Sequence, residues 1–377
     1  MKYKILLMAM LVLGLSSCKK QGGTKVLYLG HSLPQSHPVH KGILEFQRVL
    51  DEKSGGTVQI KVFPDAQLGS EREVLELLQI GSLAATKVSA ATLSNFVPEY
   101  HILGIPYLFR SKEHQFSVLE GEIGKSILEK GSKFWLRGLC YYDAGSRSFY
   151  TSEKAIRTPE DLKSLKIRVM NNQMAINMVN SMGGSATPLS YSELYTAIQQ
   201  GVVDGAENNP PSFVSSNHYE ISKYYTLDQH SSVPDVLVIG TKFWEQLTAQ
   251  EKVWVQDAAN ESSQAQKVFW NESVEESIRV AKEHGVEVII PEKSLLRVTA
   301  FGNVELDNGM TAKNIFDKAL NYFLKNKLDS LFSSNIPSKI FLWEKLKKKI
   351  IPKFDINKRK MRQDIKNIYS ENGSFYI

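Results

Sequence analysis

Apolar positions along this chain switch repeatedly between two periods, and the alternation of those periods predicts the fold class. Val58 to Phe63 alternates with period two, as a half-buried strand does, whereas Val39 to Glu52 places Ile43, Phe46, Val49 and Leu50 on one helical face. Thr24 to Leu29 reads as a strand before that helix, and Ser54-Gly55-Gly56 stops it. Gly69 to Leu78 reads as a second amphipathic helix, with acids near its start where the helix dipole favours negative charge. The four pieces make a βαβα unit with a parallel sheet in prospect. Val97 to Leu108 carries an apolar run expected to be a buried crossing segment. Lys112 to Glu129 is expected to be helical and Leu136 to Asp143 a strand.

A second unit follows with the same alternation. Thr158, Pro159 and Asp161 form a helix start, with Thr158 as N-cap, the proline at the first helical position and the acid two residues on. Lys166 to Met170 reads as a short strand. Gln173 to Met182 reads as a helix ended by Gly183-Gly184, and Ser190 to Gln200 as a helix with Leu194, Ala197 and Ile198 inward, closed by Gly201. Val236 to Ile239 is a strand, Lys242 to Lys282 is largely helical, and Val286 to Ile290 is a last strand. The chain shows no internal repeat.

Arg168 is the one arginine in the Lys166–Met170 strand, set among apolar neighbours, and Arg147 lies upstream beside Gly145 and Ser146. Ligands of α/β sheets bind outside the carboxyl ends of strands. An arginine there presents a planar fork to a carboxylate through two charge-assisted hydrogen bonds, which a lysine cannot do. A solvated arginine on an edge strand fits the local pattern equally well.

The 377 residues, 42% of them hydrophobic, are ample for two α/β lobes. The net charge of +6 is uneven: Val298 to Ile377 carries 15 Lys and Arg against 8 Asp and Glu, so the remainder is close to neutral. The globular part therefore gives no electrostatic hint of nucleic acid. Residues 1–18 read as a targeting segment, with Lys2 and Lys4 before the apolar Ile5 to Leu15. Leu15-Ser16-Ser17-Cys18 resembles the bacterial lipobox, which implies cleavage before Cys18 and its lipidation, with 19–24 as a flexible tether to the membrane. Cys18 and Cys140 are the two cysteines, so an acylated Cys18 leaves no disulfide framework.

Five stretches then fall in order: Phe63-Pro-Asp-Ala-Gln-Leu-Gly69, Gly104-Ile-Pro-Tyr-Leu-Phe109, Arg157-Thr-Pro-Glu-Asp-Leu-Lys-Ser-Leu-Lys-Ile-Arg-Val169, Thr187-Pro-Leu-Ser-Tyr-Ser-Glu-Leu-Tyr195 and Asp204-Gly-Ala-Glu-Asn208. Together they resemble the solute-binding proteins of tripartite ATP-independent periplasmic (TRAP) transporters, the DctP type, over Lys25 to Pro291. The resemblance implies an α/β, two-lobed periplasmic-binding-protein architecture with a hinge and a long lobe-spanning helix. Lobe I is expected at 25–144 and 234–273, and lobe II at 145–233 and 274–297. It implies an extracytoplasmic receptor, not an enzyme, working without cofactor or metal and handing an organic acid to a membrane permease.

By the same resemblance Arg168 is the main carboxylate clamp, assisted by Arg147 and Asn208, with Tyr191 lining the pocket. The loop and strand residues His31, Gln35, His37, Lys87 and Ser89 are expected to read the rest of the ligand, and Phe213 to face a sugar or sit in the core. Lys87-Val-Ser-Ala departs from the acid that sialic-acid binders place near Ser89. The combination with His-Ser-Leu-Pro and Gly-Ala-Glu-Asn-Asn-Pro-Pro-Ser-Phe resembles binders of hexuronates such as glucuronate and galacturonate. One carboxylate and several hydroxyls require many neutral hydrogen-bond partners as well as a cation.

Two rival readings remain. An enzyme acting on sugar acids would draw on His31, His37 and His40 with Asp143, Asp204 or Glu207, although their spacings match no zinc pattern and Asp204 and Glu207 suit support of the arginines better. There is no Gly-rich phosphate loop and no G-x-S-x-G turn. A structural or adhesion lipoprotein would need no arginines at a lobe interface. The resemblance stops near Leu296-Arg297, and 298–377, with a helix expected over Phe316 to Phe332 and a basic run from Trp343 to Lys353, is expected to be a divergent, poorly ordered tail without a functional role.

Overall fold

The computed structural model describes residues 23–291 and two short strands, Trp343–Leu346 and Lys349–Pro352, that pair antiparallel. The expected signal peptide with Cys18, most of the tether, residues 292–297 and the remainder of 298–377 with its Phe316–Phe332 helix lie outside the described residues.

The first sheet is assembled from the first four strands and one that returns to it later, after the second sheet has been started. Strands β1 (Lys25–Gly30), β2 (Val58–Phe63) and β3 (Ala85–Ser89) run parallel, connected by helices α1 (Pro38–Ser54) and α2 (Glu71–Ile80). Helix α1 starts where the His37 side chain accepts the Val39 N–H, has Pro38 in its first turn, and stops at Gly55, whose φ of 58° suits glycine. Its apolar face, Ile43, Phe46 and Leu50, is fully buried against β1 and β2, and Phe46→Ala there would cost about 3–5 kcal/mol. After the short helices α3 (Ala90–Leu93), α4 (Lys112–Leu119) and α5 (Glu122–Lys130), strand β4 (Leu136–Tyr142) closes one edge of this sheet.

The chain then crosses to a second sheet. Its elements are β5 (Arg147–Thr151), β6 (Lys166–Val169), α6 (Gln173–Ser181), β7 (Ser185–Pro188), α7 (Leu194–Gln199), β8 (Gly205–Asn208), α8 (Pro210–Ser215), α9 (His218–Ile221) and β9 (Tyr224–Ser231). It returns to the first sheet as β10 (Asp235–Gly240), followed by α10 (Thr241–Trp244) and the 35-residue helix α11 (Ala249–Glu283), and ends on the second sheet with β11 (Glu287–Ile289). The strand orders are β2-β1-β3-β10-β4 and β11-β9-β5-β8-β6-β7. Each sheet has its own pair of buried apolar clusters. The fold is thus the expected two-lobed α/β architecture.

Helix α11 spans the lobes, and its composition follows from where it lies. Strand β4 is a sheet edge, whose outward backbone groups need partners. Along one face of α11, Gln256 donates to the Leu139 carbonyl at 2.8 Å and Ser263 to the Tyr141 carbonyl at 2.6 Å. Gln266 exchanges two 2.8 Å hydrogen bonds with the backbone N–H and carbonyl of Asp143. A buried face that answers backbone polarity has to be polar, and Ser263 and Gln266 are buried accordingly.

Two local expectations change. The apolar run of 97–108 is no buried crossing segment: it forms a 3₁₀ helix, Pro98–Gly104, with Ile102 42% exposed, and Tyr107 N–H donates to the His230 carbonyl at 2.8 Å. The chain crosses between the sheets at Asp143 to Ser146, at Ser232 to Pro234, and along the lobe-spanning helix α11 that leads to β11. The helix of 112–129 is two helices, because the chain turns back at Gly121 so closely that a Cβ on Gly124 would lie 1.9 Å from the Leu119 carbonyl oxygen.

Candidate functional site

In the second sheet, β5, β8 and β6 are neighbours, with β8 parallel to β6 and β5 antiparallel to β8. This brings the start of β5, the end of β8 and the end of β6 to one edge, and so gathers Arg147, Asn208 and Arg168. In the first sheet, Ser89 at the end of β3 pairs with Asp235 at the start of β10. Lys87, two residues back on β3, points to the same end, and so does Glu71 at the start of α2, whose carboxylate accepts the Ser89 N–H at 3.0 Å and the Thr92 hydroxyl at 2.6 Å. Both sets face a cavity of about 270 Å³ between the sheets, just below the usual range for ligand pockets of roughly 300–1,000 Å³.

The two arginines differ in their partners. Arg147 Nε and Nη2 bind the Glu207 carboxylate, Nη2 also donates to the Glu207 carbonyl at 2.7 Å, and Nη1 donates to Asn208 Oδ1 at 2.9 Å. Behind Glu207 stands His230, 3.4 Å away through Nε2, whose Nδ1 meets Asp228 at 2.7 Å. Burial would raise the Glu207 pKa, but Arg147 and then His230 outweigh it and hold it at about 2. Burial would lower that of His230, yet Asp228 and Glu207 lift it to about 9. The four side chains form a buried chain of alternating charge that neutralises itself.

Arg168 has no such partner. Its Nε and Nη2 donate to the Leu189 carbonyl at 3.0 and 2.8 Å, and its guanidinium lies 5.9 Å from the Tyr191 ring centroid. It is 2% exposed, and no carboxylate among the described residues makes an ion pair with it. Burial lowers its pKa, with distant Glu207 opposing, but a guanidinium keeps its proton. Tyr191 is fixed from behind, its hydroxyl meeting Ser216 Oγ at 2.7 Å and donating to the Ser212 carbonyl at 3.2 Å. The Asn208 oxygen accepts from Arg147 and from the Asn209 N–H, which leaves its NH₂ to donate toward the cavity.

On the opposite wall Lys87, 2% exposed, donates to Asp235 at 3.0 Å and to Glu71 at 3.5 Å. Burial would lower its pKa, and the two carboxylates raise it instead; burial raises that of Asp235. Ser89 lines the cavity, as does His37. The latter accepts the Val39 N–H on Nδ1, so its proton sits on Nε2 and is donated to Ser212 Oγ at 3.1 Å, a hydrogen bond between the lobes. Burial, then Lys87, holds the His37 pKa well below 6.5, so the ring is neutral.

Three expected ligand residues do not reach the cavity. Gln35 is exposed on the outside of its loop. His31 turns away to accept the Leu33 N–H and to donate to His40 at 3.0 Å, and burial with Lys87 nearby puts its pKa at about 3. Phe213 is fully buried in the second lobe, stacked 4.7 Å from Tyr225 and 4.9 Å from Tyr150. The histidines and acids of the enzyme reading do not converge either. Asp143 pairs with Lys112 and caps the Gly145 N–H, and Asp204 accepts the Lys166 N–H at 2.6 Å.

Sequence reasoning missed Glu71, Asp235, Asn171, Asn209 and Ser212 on the cavity wall. Glu71 was explicable as a helix-start acid, and Asp235 as the residue between Pro234 and an apolar run. Their convergence on Lys87 requires residues 148 positions apart in sequence.

Residues 29–298 match the family of bacterial extracellular solute-binding proteins, family 7 (DctP). A solute-binding protein of Chromohalobacter salexigens is 34% identical over 255 residues, 68% of this chain and 76% of its own. A TRAP periplasmic solute-binding protein from Sulfitobacter sp. NAS-14.1, solved with β-D-galacturonate, is 36% identical with a TM-score of 0.72, covering 73% of this chain and 92% of its own. Another from Anaerococcus prevotii, solved with D-glucuronate, is 35% identical with a TM-score of 0.72, covering 74% and 90%.

Proposed function

The chain belongs to the bacterial extracellular solute-binding proteins, family 7, and is a solute-binding receptor of the TRAP type, and on that premise we propose that it captures a hexuronate through an arginine clamp. The observation that carries this reading is Arg168, a buried guanidinium facing the cavity without a carboxylate of its own. A buried charge needs a counter-charge, and a ligand carboxylate supplies it. The free Arg168 N–H groups, the Asn208 amide and the one uncommitted N–H of Arg147 would share its oxygens. The hydroxyls would meet Lys87, Ser89, Glu71 and Asp235 on the other wall. Solved relatives carrying galacturonate and glucuronate support the choice of acid.

Docking comes first on the arginine wall, and the first lobe then closes over the hydroxyls. The ligand favours the closed form because that form alone makes both sets of contacts. The hinge would lie at Asp143 to Ser146 and Ser232 to Pro234, dividing the chain as the expected lobes do. Family membership supports a location outside the cytoplasm and a membrane permease as the partner. The Leu15–Cys18 pattern supports a lipid anchor at Cys18.

Thermal unfolding of the purified protein against a panel of organic acids tests the reading. At a hundred times Kd, binding stabilises by about 2.7 kcal/mol, and a domain of this size gains roughly 2–4 °C per kcal/mol. Glucuronate or galacturonate should give such a shift and be recovered unchanged. A panel on which no uronate raises the melting temperature would overturn the proposal.

A further inference from the structure

The two ends of the cavity carry opposite charge. At the second-lobe end, Arg147 is balanced by Glu207 and Arg168 is left over, a surplus of one positive charge. At the first-lobe end, Lys87 is shared by Glu71 and Asp235, whose side chains are 17% and 9% exposed, a surplus of one negative charge. The charged groups at the mouth do not change this. Arg72 pairs with Glu76, and Glu193, which keeps its negative charge while accepting from Ser190 within its own turn, is exposed, so solvent screens it from Arg168. Arg72 is exposed, so solvent and salt screen it.

We propose that Glu71 and Asp235 form a charge filter that admits the hydroxylated end of a sugar acid and rejects a second carboxylate, with Lys87 as the positioning residue between them. The inference rests on the arginine clamp proposed above and deepens it. Carboxylates accept hydrogen bonds from hydroxyls but have no proton to give another carboxylate. Lys87 has three N–H donors, two of them committed to the acids, so one remains for a hydroxyl oxygen. A diacid docked by one end on Arg168 would deliver its other charge to a wall already carrying an excess negative charge. Selectivity of this kind comes from the repulsive element as much as from the attractive one.

Titration calorimetry with two ligands of one carbon skeleton tests it: glucuronate, and the corresponding aldarate with a carboxylate at each end. The wild-type protein should bind the aldarate at least about tenfold more weakly. Equal or tighter aldarate binding would overturn the filter and leave the carboxylate clamp standing, whereas binding of neither ligand would overturn both. Asp235→Asn and Glu71→Gln should each narrow the ratio between the two ligands. An unchanged ratio in both variants would overturn the assignment to these residues. Should Asp235→Asn fail to fold, Glu71→Gln, at the less buried position, and the salt dependence of the wild-type ratio decide, since a charge filter weakens as salt rises.

Discussion

The two buried arginines of the second lobe lie on the two strands that flank β8 in one sheet and face one cavity, yet they are different kinds of residue. Arg147 spends its N–H groups on Glu207 and Asn208, and the acid it holds is backed by His230 and Asp228. Arg168 spends two groups on a carbonyl and keeps its charge unanswered. Burial is therefore a poor guide to role when taken alone. What separates a charge that holds the fold from one that serves a ligand is whether the protein supplies the counter-charge.

The sharpest test exchanges the two. Arg168→Met should weaken uronate binding by about 3–5 kcal/mol, because the ligand carboxylate would then be buried without its cation. Its ligand-free stability should stay within about 1 kcal/mol, since no carboxylate is abandoned. Arg147→Met should weaken binding less, through one lost N–H, and instead lower stability by about 3–5 kcal/mol by leaving Glu207 buried beside His230 alone. Calorimetric titration and urea unfolding of both variants read the two effects. Equal losses of stability in both would erase the distinction.

A second test uses pH, through groups on the two sides of the cleft. His230 has its folded pKa raised to about 9, so its contribution is full below the unfolded value near 6.5 and is lost as pH rises through about 9. His31 and His218 have folded pKa values of about 3, held down chiefly by burial. Their unfolded forms take up protons first, so stability falls as pH drops below about 6.5. Glu207, at about 2 when folded, adds a further loss below about 4.5. Stability should therefore peak near pH 6.5, and His230→Gln should flatten the alkaline side while leaving the acid side in place. An alkaline limb unchanged in that variant would remove His230 from the network. The smallest effect is expected at the loop: Gln35→Ala should leave uronate affinity within about twofold, as exposed substitutions generally do, and a larger loss in titration would return Gln35 to the site.

Much of this molecule was legible in its order of residues, for physical reasons. Period-two and helical spacings located β1, α1, β2 and α2 because each has one wet and one dry face. Strands β3 and β5 escaped notice because they are buried yet polar: Ala85–Ser89 and Arg147–Thr151 show neither the alternation of a half-buried strand nor the apolar run that marks the equally buried β10. Gln35 and His31 lie off the cavity, and Phe213 takes the core position of its two expected places, because nearness in sequence to the site says nothing about which way a side chain turns. Local pattern settled that Arg168 sits on a short strand and resemblance settled the family. Tertiary structure alone decided that Glu207 answers Arg147 and not Arg168, and that Asp235 and Glu71 meet at Lys87. Counter-charges are assigned by distance in space across two sheets, and distance in space is the quantity a linear pattern does not contain.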